Sequence, residues 1–452
     1  MAQRQNAAPP FVLPWPSEAG MPESTGRVPV ALIDQERTGV LKIRLVTCAG
    51  LAALSVGAAM VTAVPASAET GAVLAGRTSP LTGFDPAKLK SAVDDVHRAG
   101  MPGVYAEVRD AGQVWRGASG VADVETGRPI RPGMRQRIGS ITKTFTAAAI
   151  LQQVEQGRIE LDAPIGRYLP RLVPGDRGQK ITVRMLLNHT SGLAEYLFSA
   201  FPSLAKFPSL PDVSPKSLDD NRFRKFRPAE LIKMGVTAPA VGTPGGTPGV
   251  YSNTNYLLLG RLLEQVTGTR AETYITQNVI KRAGLQHTVF PAGPRIEGPH
   301  SRMYEALYGV IDPPRDYSVY DMSWVGVAAS LVSTTEDLNR FYGKLLDGEI
   351  VKPSSLAQMQ RTVPVYAQTG EKIDYGLGLL KVEIPGCGTF WGHDGTVWGA
   401  GTVSLTRADG KRQLSVAMNL ARWNKPDSSG EPQPHPIDEA LSTLKRQALC
   451  GD

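Results

Sequence analysis

The stretch that decides the fold is GSITKTFTAAAILQQVE, residues 139–155. Its apolar residues recur at helical spacing until Gly157, which predicts a helix over residues 140–155. Ser140 and Lys143 lie three positions apart at the start of this helix, so they share one face. The free N–H groups of a helix N-terminus favour a negative charge that develops nearby. The pair predicts a serine nucleophile beside an amine, whereas a simpler interpretation is a capping serine.

The pattern Ser-x-x-Lys is weak alone, because the chain contains two further copies. Ser203 with Lys206 lies between prolines that prevent a regular helix. Ser442 with Lys445 lies on an amphipathic terminal helix, where the lysine is expected to face solvent. Context therefore selects Ser140, which alone follows a glycine and opens an apolar helix.

Two other short motifs occur once each in the chain. Tyr251-Ser252-Asn253 lies 111 residues after Ser140, and His393-Asp394-Gly395 begins 142 residues after Tyr251. Each motif also has a simpler interpretation: Tyr251 as a buried aromatic residue, Asn253 as a helix cap and His393 as a strand histidine. Their order and spacing together with Ser140 indicate one active site.

Strand patterns lie at both ends of the region after residue 68, and helical patterns lie between them. A hairpin is predicted over residues 104–121, and a strand over residues 375–382. Thr334 suits the cap of a helix that precedes the second group of strands. These patterns predict a sheet lobe, residues 69–161 and 334–452, and a helical lobe, residues 162–333, with a cleft between them.

The three motifs, with residues 181–193, 251–260 and 375–379, resemble those of serine D-alanyl-D-alanine carboxypeptidases and class C β-lactamases. The resemblance covers nearly the whole region after residue 68 and is strongest to exported actinobacterial carboxypeptidases. It implies an α/β fold of the β-lactamase/transpeptidase type. An antiparallel sheet flanked by helices would carry an inserted, mostly helical lobe.

The resemblance also implies catalytic roles. Ser140 would attack the substrate carbonyl, and Lys143 and Tyr251 would handle its proton as a coupled pair, with the acylation base left open. Asn253 would hold the substrate amide. The backbone N–H groups of Ser140 and Thr396 would form the oxyanion hole.

Further substrate contacts follow from the same resemblance. His393 and Gly395 would border the substrate, and a histidine in place of the lysine of most β-lactamases favours a peptidase. Asp394 departs from the family, which commonly has serine or threonine there, and an ionised aspartate would repel a substrate carboxylate. Lys381 is the candidate cation to compensate for it. Trp324 resembles an aromatic wall of the cleft and fits a core position equally well.

The N-terminus carries an export signal. Lys42 and Arg44 precede the apolar residues 45–64, which end near Ala66-Ser67-Ala68. This order predicts that residues 1–68 are a leader and signal peptide, cleaved near Ala68. The mature chain would be secreted or cell-wall-associated, without stable membrane insertion. The alternative is a retained anchor, because 20 apolar residues can span a bilayer.

Cys387 and Cys450 are the cysteines that remain after cleavage, and an exported chain favours a disulfide between them over two free thiols. The sequence contains no His-Glu-x-x-His motif and no other visible metal-ligand set, so neither a metal nor another cofactor is predicted.

Charge and motifs together limit the function. The formal net charge of +7 is spread along the chain, which does not predict nucleic-acid binding, and we expect a monomer. A Ser-His-Asp hydrolase is disfavoured because the chain lacks Gly-x-Ser-x-Gly. The first expectation is a D-Ala-D-Ala carboxypeptidase that acts on peptidoglycan stem peptides and is acylated by β-lactams. Alternatives are an esterase, a D-amino-acid amidase or peptidase, a class C-like β-lactamase and, last, a non-catalytic peptidoglycan-binding relative, which the intact Ser140, Lys143 and Tyr251 disfavour.

Overall fold

The computed structural model describes residues 83–206, 212–427 and 433–451. The helices are α1 (Pro86–Arg98), α2 (Thr142–Glu155), α3 (Gly175–Lys180), α4 (Val183–Leu187), α5 (Leu197–Ala200), α6 (Lys216–Asp220), α7 (Pro228–Thr237), α8 (Asn253–Thr267), α9 (Ala271–Ile275), α10 (Thr335–Leu346), α11 (Pro353–Met359) and α12 (Pro436–Cys450). The strands are β1 (Gly103–Asp110), β2 (Gln113–Asp123), β3 (Arg128–Pro129), β4 (Gln136–Arg137), β5 (Gly249–Val250), β6 (Tyr304–Glu305), β7 (Arg315–Asp316), β8 (Val332–Ser333), β9 (Val363–Tyr366), β10 (Lys372–Tyr375), β11 (Leu380–Ile384), β12 (Gly388–Val397), β13 (Ala400–Arg407), β14 (Arg412–Met418) and β15 (Leu420–Ala421).

The main sheet is assembled from both ends of the described chain, as the strand patterns predicted. Its ten strands follow the order β3-β2-β1-β14-β13-β12-β11-β10-β9-β5. The neighbours are antiparallel except β5 and β9, which run parallel. Alternate residues of β1 face opposite sides. Val104, Ala106 and Val108 pack in the core formed with α1 and α12, whereas Glu107 meets Asn339 of α10.

Several helix boundaries follow from local capping. The Asp85 side chain accepts the N–H groups of Ala87 and Lys88 and begins α1, and Thr334 caps α10 as predicted. The predicted helix over residues 140–155 begins as a 3₁₀ turn, Gly139–Ile141, and continues as α2. This turn packs against β12 and so places the start of α2 at the centre of the sheet.

The predicted strand over residues 375–382 is wrong, because a tight turn divides it into β10 and β11. The N–H of Gly376 donates to the carbonyl of Leu379 over 2.8 Å. Gly378 has φ +72°, and a Cβ there would lie 2.5 Å from the Cβ of Ala147 on α2. Glycine therefore allows the turn to close against the helix.

The middle of the chain is mainly helical but also contributes to the sheet. Helices α3 to α9 lie within residues 162–333, and β5 from the same segment pairs with β9. A large core joins α2, α8 and the residues around 320–332. The boundaries of the two predicted lobes stay a prediction.

The predicted disulfide is present. Cys387, in the turn between β11 and β12, is bonded to Cys450, the last residue of α12. The predicted signal segment and its cleavage site lie outside the described residues. Within residues 83–206, 212–427 and 433–451, no helix combines the length and apolar character needed to cross a bilayer.

Candidate active site

Lys143 lies at the centre of the site, in the first turn of α2. Its side chain is fully buried, and its Nζ lies 3.1 Å from Ser140 Oγ. The same nitrogen donates to Asn253 Oδ1 over 2.7 Å and to the carbonyl of Ala328 over 3.1 Å. Ser140 and Asn253, from two of the predicted motifs, therefore both contact the side-chain nitrogen of Lys143.

Burial sets the protonation of this amine. Burial lowers the pKa of Lys143 to about 7, although the negative charges of Glu195 and Asp394 act to raise the pKa. A large share of the amine is then neutral at neutral pH. Such an amine can accept the proton of the adjacent Ser140 hydroxyl.

Tyr251 precedes α8 and turns its ring toward the lysine. The Lys143 Nζ lies 4.8 Å from the centre of the Tyr251 ring. Burial raises the pKa of Tyr251 well above its ordinary value, although the interaction with the Ser140 hydroxyl lowers that pKa. The phenol is therefore protonated at neutral pH. Of the two groups that the sequence left open as the base, Lys143 is the better acceptor.

Two glycines bring β12 against the serine turn. Gly139 has φ +53°, and a Cβ there would lie 2.6 Å from Thr396 N. A Cβ on Gly395 would lie 2.0 Å from the carbonyl oxygen of Ile138 and 2.7 Å from Ser140 N. The amide nitrogens of Ser140 and Thr396 thus flank one close backbone contact, the arrangement expected of an oxyanion hole.

His393 on β12 borders the same site. Its ring centre lies 6.4 Å from that of Tyr251, and its Nε2 lies 2.9 Å from the hydroxyl of Tyr375. Because Nδ1 contacts the carbonyl of Asp394, which can only accept, Nδ1 carries a proton. The structure brings the three motifs together, and the catalytic roles of their residues remain predictions.

The cation that acts on Asp394 is not the predicted one. Lys381 pairs with Glu383 over 2.7 Å on β11. Burial alone would raise the pKa of Asp394, but the hydrogen bond and charge of His393 and the charge of Lys445 outweigh burial, and the pKa is lowered. Lys445 was expected to face solvent, yet it is partly buried on α12, and burial lowers its pKa.

Trp324 is a buried member of the main core, only 4% exposed. Its ring stacks on Trp398 with 5.0 Å between ring centres, and Phe201 meets it edge-on. Trp398 directly follows β12 and was not predicted. The packing fits the core interpretation of Trp324, and its role as a cleft wall stays a prediction.

A known protein family matches most of this chain. The Beta-lactamase family profile matches residues 89–439. The chain belongs to the β-lactamase family. This membership confirms the resemblance and the fold class predicted from the three motifs.

Individual β-lactamase-family relatives differ in activity. The chain is 27% identical to penicillin-binding protein 4* of Bacillus subtilis over 66% of this chain and 64% of that protein. It is 31% identical to esterase EstB of Burkholderia gladioli over 46% of this chain and 53% of the esterase. The chain thus spans less than two thirds of the length of these curated relatives.

A solved structure of the family matches over a greater length. The D-stereospecific amidohydrolase from Streptomyces sp. is 32% identical, with a TM-score of 0.68. The match covers 81% of this chain and 99% of the amidohydrolase. The described fold therefore accounts for nearly all of that family member.

Sequence reasoning missed the role of Glu195 in this β-lactamase-family site. Glu195 Oε2 accepts the backbone N–H of Asn253 over 2.8 Å and its side-chain amide over 2.9 Å. The side chain of Asn253 therefore lies between this carboxylate and Lys143. One sequence feature could have indicated Glu195: it lies two residues after the segment 187–193, which contributed to the family resemblance.

Replacing Gly395 with alanine tests the oxyanion contact. We expect Gly395→Ala to lower kcat/KM for a nitrophenyl ester about 100-fold, because the new Cβ displaces β12 from Ser140 N. Gly401→Ala is the matched control, since its Cβ would meet only the flexible end of Met418 within 4 Å, at 3.3 Å. Thermal unfolding would verify that both variants fold. Unchanged turnover by the Gly395 variant would remove the oxyanion assignment.

The lysine pKa predicts the pH profile. Lys143 must be neutral to accept a proton, so activity is present above about pH 7 and is lost as pH falls through that value. We expect kcat/KM for an uncharged ester to fall about tenfold per pH unit on the acid side. Circular dichroism at each pH controls for unfolding. An acid limb near the ordinary lysine pKa of 10.5 would contradict the role of a desolvated Lys143.

Proposed function

We propose that this chain is a serine amidohydrolase that cleaves amides of D-amino acids bearing a free amino group. Ser140 Oγ bonds to the amide carbon while its proton passes to neutral Lys143. The N–H groups of Ser140 and Thr396 stabilise the oxyanion. The protonated phenol of Tyr251 gives its proton to the leaving nitrogen and is reprotonated from Lys143. Water then hydrolyses the acyl-enzyme, which releases the amino acid.

The observation that carries the proposal is the environment of Glu195. This partly buried carboxylate accepts hydrogen bonds from the amides of Asn253, from Gln368 Nε2 and from the N–H of Leu197. Its direct partners are therefore neutral. Burial raises the pKa of Glu195, which reflects the cost of the ionised form. A substrate ammonium at this position would offset that cost.

The second carboxylate of the site supports the same substrate charge. Asp394 stands where the family commonly has serine or threonine, and its pKa is lowered, so it is ionised at neutral pH. The charges of Asp394 and Glu195 both act on Lys143, and negative charge this near the base disfavours a substrate that ends in a carboxylate. The similarity to a D-stereospecific amidohydrolase supports the stereochemistry of the proposal.

The second candidate is the D-Ala-D-Ala carboxypeptidase expected from the sequence, with peptidoglycan stem peptides as substrates and β-lactams as acylating ligands. His393 on β12 and the similarity to penicillin-binding protein 4* favour it. The similarity to esterase EstB supports ester hydrolysis on the same scaffold. Class C-like β-lactamase activity ranks below these, because His393 replaces the usual lysine.

A substrate panel tests the proposal. D-phenylalaninamide, its L-enantiomer and its N-acetyl form would be compared with an N-acyl peptide ending in D-Ala-D-Ala. We expect turnover of the free D-amide, and a decrease in kcat/KM of about tenfold or more upon N-acetylation or in Glu195→Gln. The acetylated amide is the matched control, because it measures the effect of Glu195→Gln on the pKa of Lys143, which both substrates share. The loss for the free amide should exceed that shared effect. Ser140→Ala should be inactive toward all of them.

Three outcomes would contradict this proposal. Release of terminal D-alanine from the N-acyl peptide, with a stable penicillin adduct on Ser140 by mass spectrometry, would establish the carboxypeptidase instead. Equal turnover of the free and acetylated amides would remove Glu195 from substrate recognition. Rapid turnover of penicillin would indicate a β-lactamase.

We also propose that the chain is exported, with cleavage near Ala68. The support is the order of the basic residues, the apolar residues 45–64 and the small-residue triplet. Expression of the full chain in an actinobacterial host, followed by N-terminal sequencing of protein from the medium and cell wall, tests this. A mature N-terminus at Glu69 is expected. Uncleaved chain in the membrane fraction would indicate an anchor.

A further inference from the structure

His189 is a buried histidine whose tautomer is fixed by two donors. Its Nδ1 lies 3.2 Å from the backbone N–H donor of Ser252 and 3.1 Å from Asn255 Nδ2. A backbone N–H can only donate, so Nδ1 is an acceptor. Ser191 Oγ accepts the N–H of Leu193 and donates to Asn255 Oδ1 over 2.6 Å, which turns the Asn255 NH₂ toward the ring.

The proton of the neutral ring therefore lies on Nε2. That atom is buried and has no hydrogen-bond partner among the described residues. A second proton on Nδ1 would break both hydrogen bonds and create a buried cation. Burial, together with the charges of Lys143 and His393, lowers the pKa of His189 well below its ordinary value. The titratable groups that interact with it are Lys143, Tyr251, Tyr256, Tyr375 and His393.

The imidazole stacks on the ring of Tyr251, with 4.1 Å between ring centres and 29° between planes. On the same phenol ring, Lys143 Nζ lies 4.8 Å from the ring centre. His189 has φ +62°, which is uncommon for a residue other than glycine. Its carbonyl accepts the N–H of Val250 over 3.0 Å, directly before Tyr251. Both the ring and the backbone of His189 thus hold the tyrosine segment.

We propose that His189 is a positioning residue that holds Tyr251 beside Lys143 while staying neutral at every working pH. This inference rests on the acyl-enzyme chemistry proposed above but is independent of the substrate. A cationic ring here would repel protonated Lys143 and change the charge beside the Tyr251 phenol. The Ser191–Asn255 pair prevents this because it presents a donor to Nδ1. The acid limb of the pH profile then belongs to Lys143 alone.

Asn255→Asp tests the inference, because a carboxylate would attract a proton to Nδ1. Asn188→Asp is the matched control. It adds the same charge one residue from His189, and an aspartate can still accept from Thr190 as Asn188 does. Nitrogen-15 NMR of the histidines reads the tautomer, with the His189 signals assigned by their loss in His189→Asn. The rate at which a fluorophosphonate labels Ser140, measured against pH, reads nucleophile activation without any assumed substrate.

We expect wild-type His189 to stay neutral, protonated on Nε2, between about pH 5 and 8. In Asn255→Asp, His189 should become protonated within that range. The labelling rate should fall about tenfold at neutral pH and gain a second ionisation. Asn188→Asp should keep the wild-type profile.

Three outcomes would overturn the inference. One is a wild-type proton on Nδ1, which NMR detects even if the aspartate variant fails to fold. The second is ordinary titration of wild-type His189. The third is an Asn255→Asp labelling profile that superimposes on that of Asn188→Asp although His189 is protonated. If the wild-type protein does not turn over D-amides but its Ser140 is labelled at the normal rate, only the proposed substrate is contradicted.

Discussion

The desolvation of one amine is the constraint on which the rest of the site depends. Among the described residues, Lys143 Nζ contacts three neutral oxygen atoms, from Ser140, Asn253 and Ala328, and no carboxylate. A carboxylate at that distance would favour the ammonium and remove the base. Placing Glu195 behind Asn253 keeps a negative charge near enough to hold the pKa at about 7 rather than lower. The side chain of Asn253 thus keeps the Glu195 carboxylate out of direct contact with Lys143 and connects the two groups through hydrogen bonds.

The architecture follows from the need to bring distant segments to this amine. The sheet is assembled from both chain ends, so β12 lies against the 3₁₀ turn that carries Ser140. The contact is closer than any side chain permits, which requires glycine at positions 139 and 395. The disulfide anchors the turn before β12 to the end of α12. A shift of β12 would therefore alter the oxyanion contact.

The sequence predicted what is encoded in short patterns. The pair Ser140 and Lys143, the cap Thr334 and the disulfide follow from local spacing, residue type or compartment. The turn at residues 376–379 was missed because Gly378 is needed for a contact with α2, which a strand pattern does not reveal. Lys445 was assigned to solvent for the same kind of reason, since helix periodicity cannot identify the partly buried carboxylate of Asp394 on β12. Glu195 and His189 likewise act through long-range contacts.

The two carboxylates of the site differ in how their charge is balanced. The lowered pKa of Asp394 owes much to His393 and Lys445, so its negative charge is partly compensated within the protein. Glu195 contacts amide groups, and its nearest cation, Lys143, is largely neutral when it acts as a base. When catalysis requires neutral Lys143, Glu195 therefore loses its counter-charge. In the proposed function, an ammonium on the substrate would restore that balance at the step where Ser140 is activated, which would tie amino-group recognition to the protonation state of the nucleophile's base.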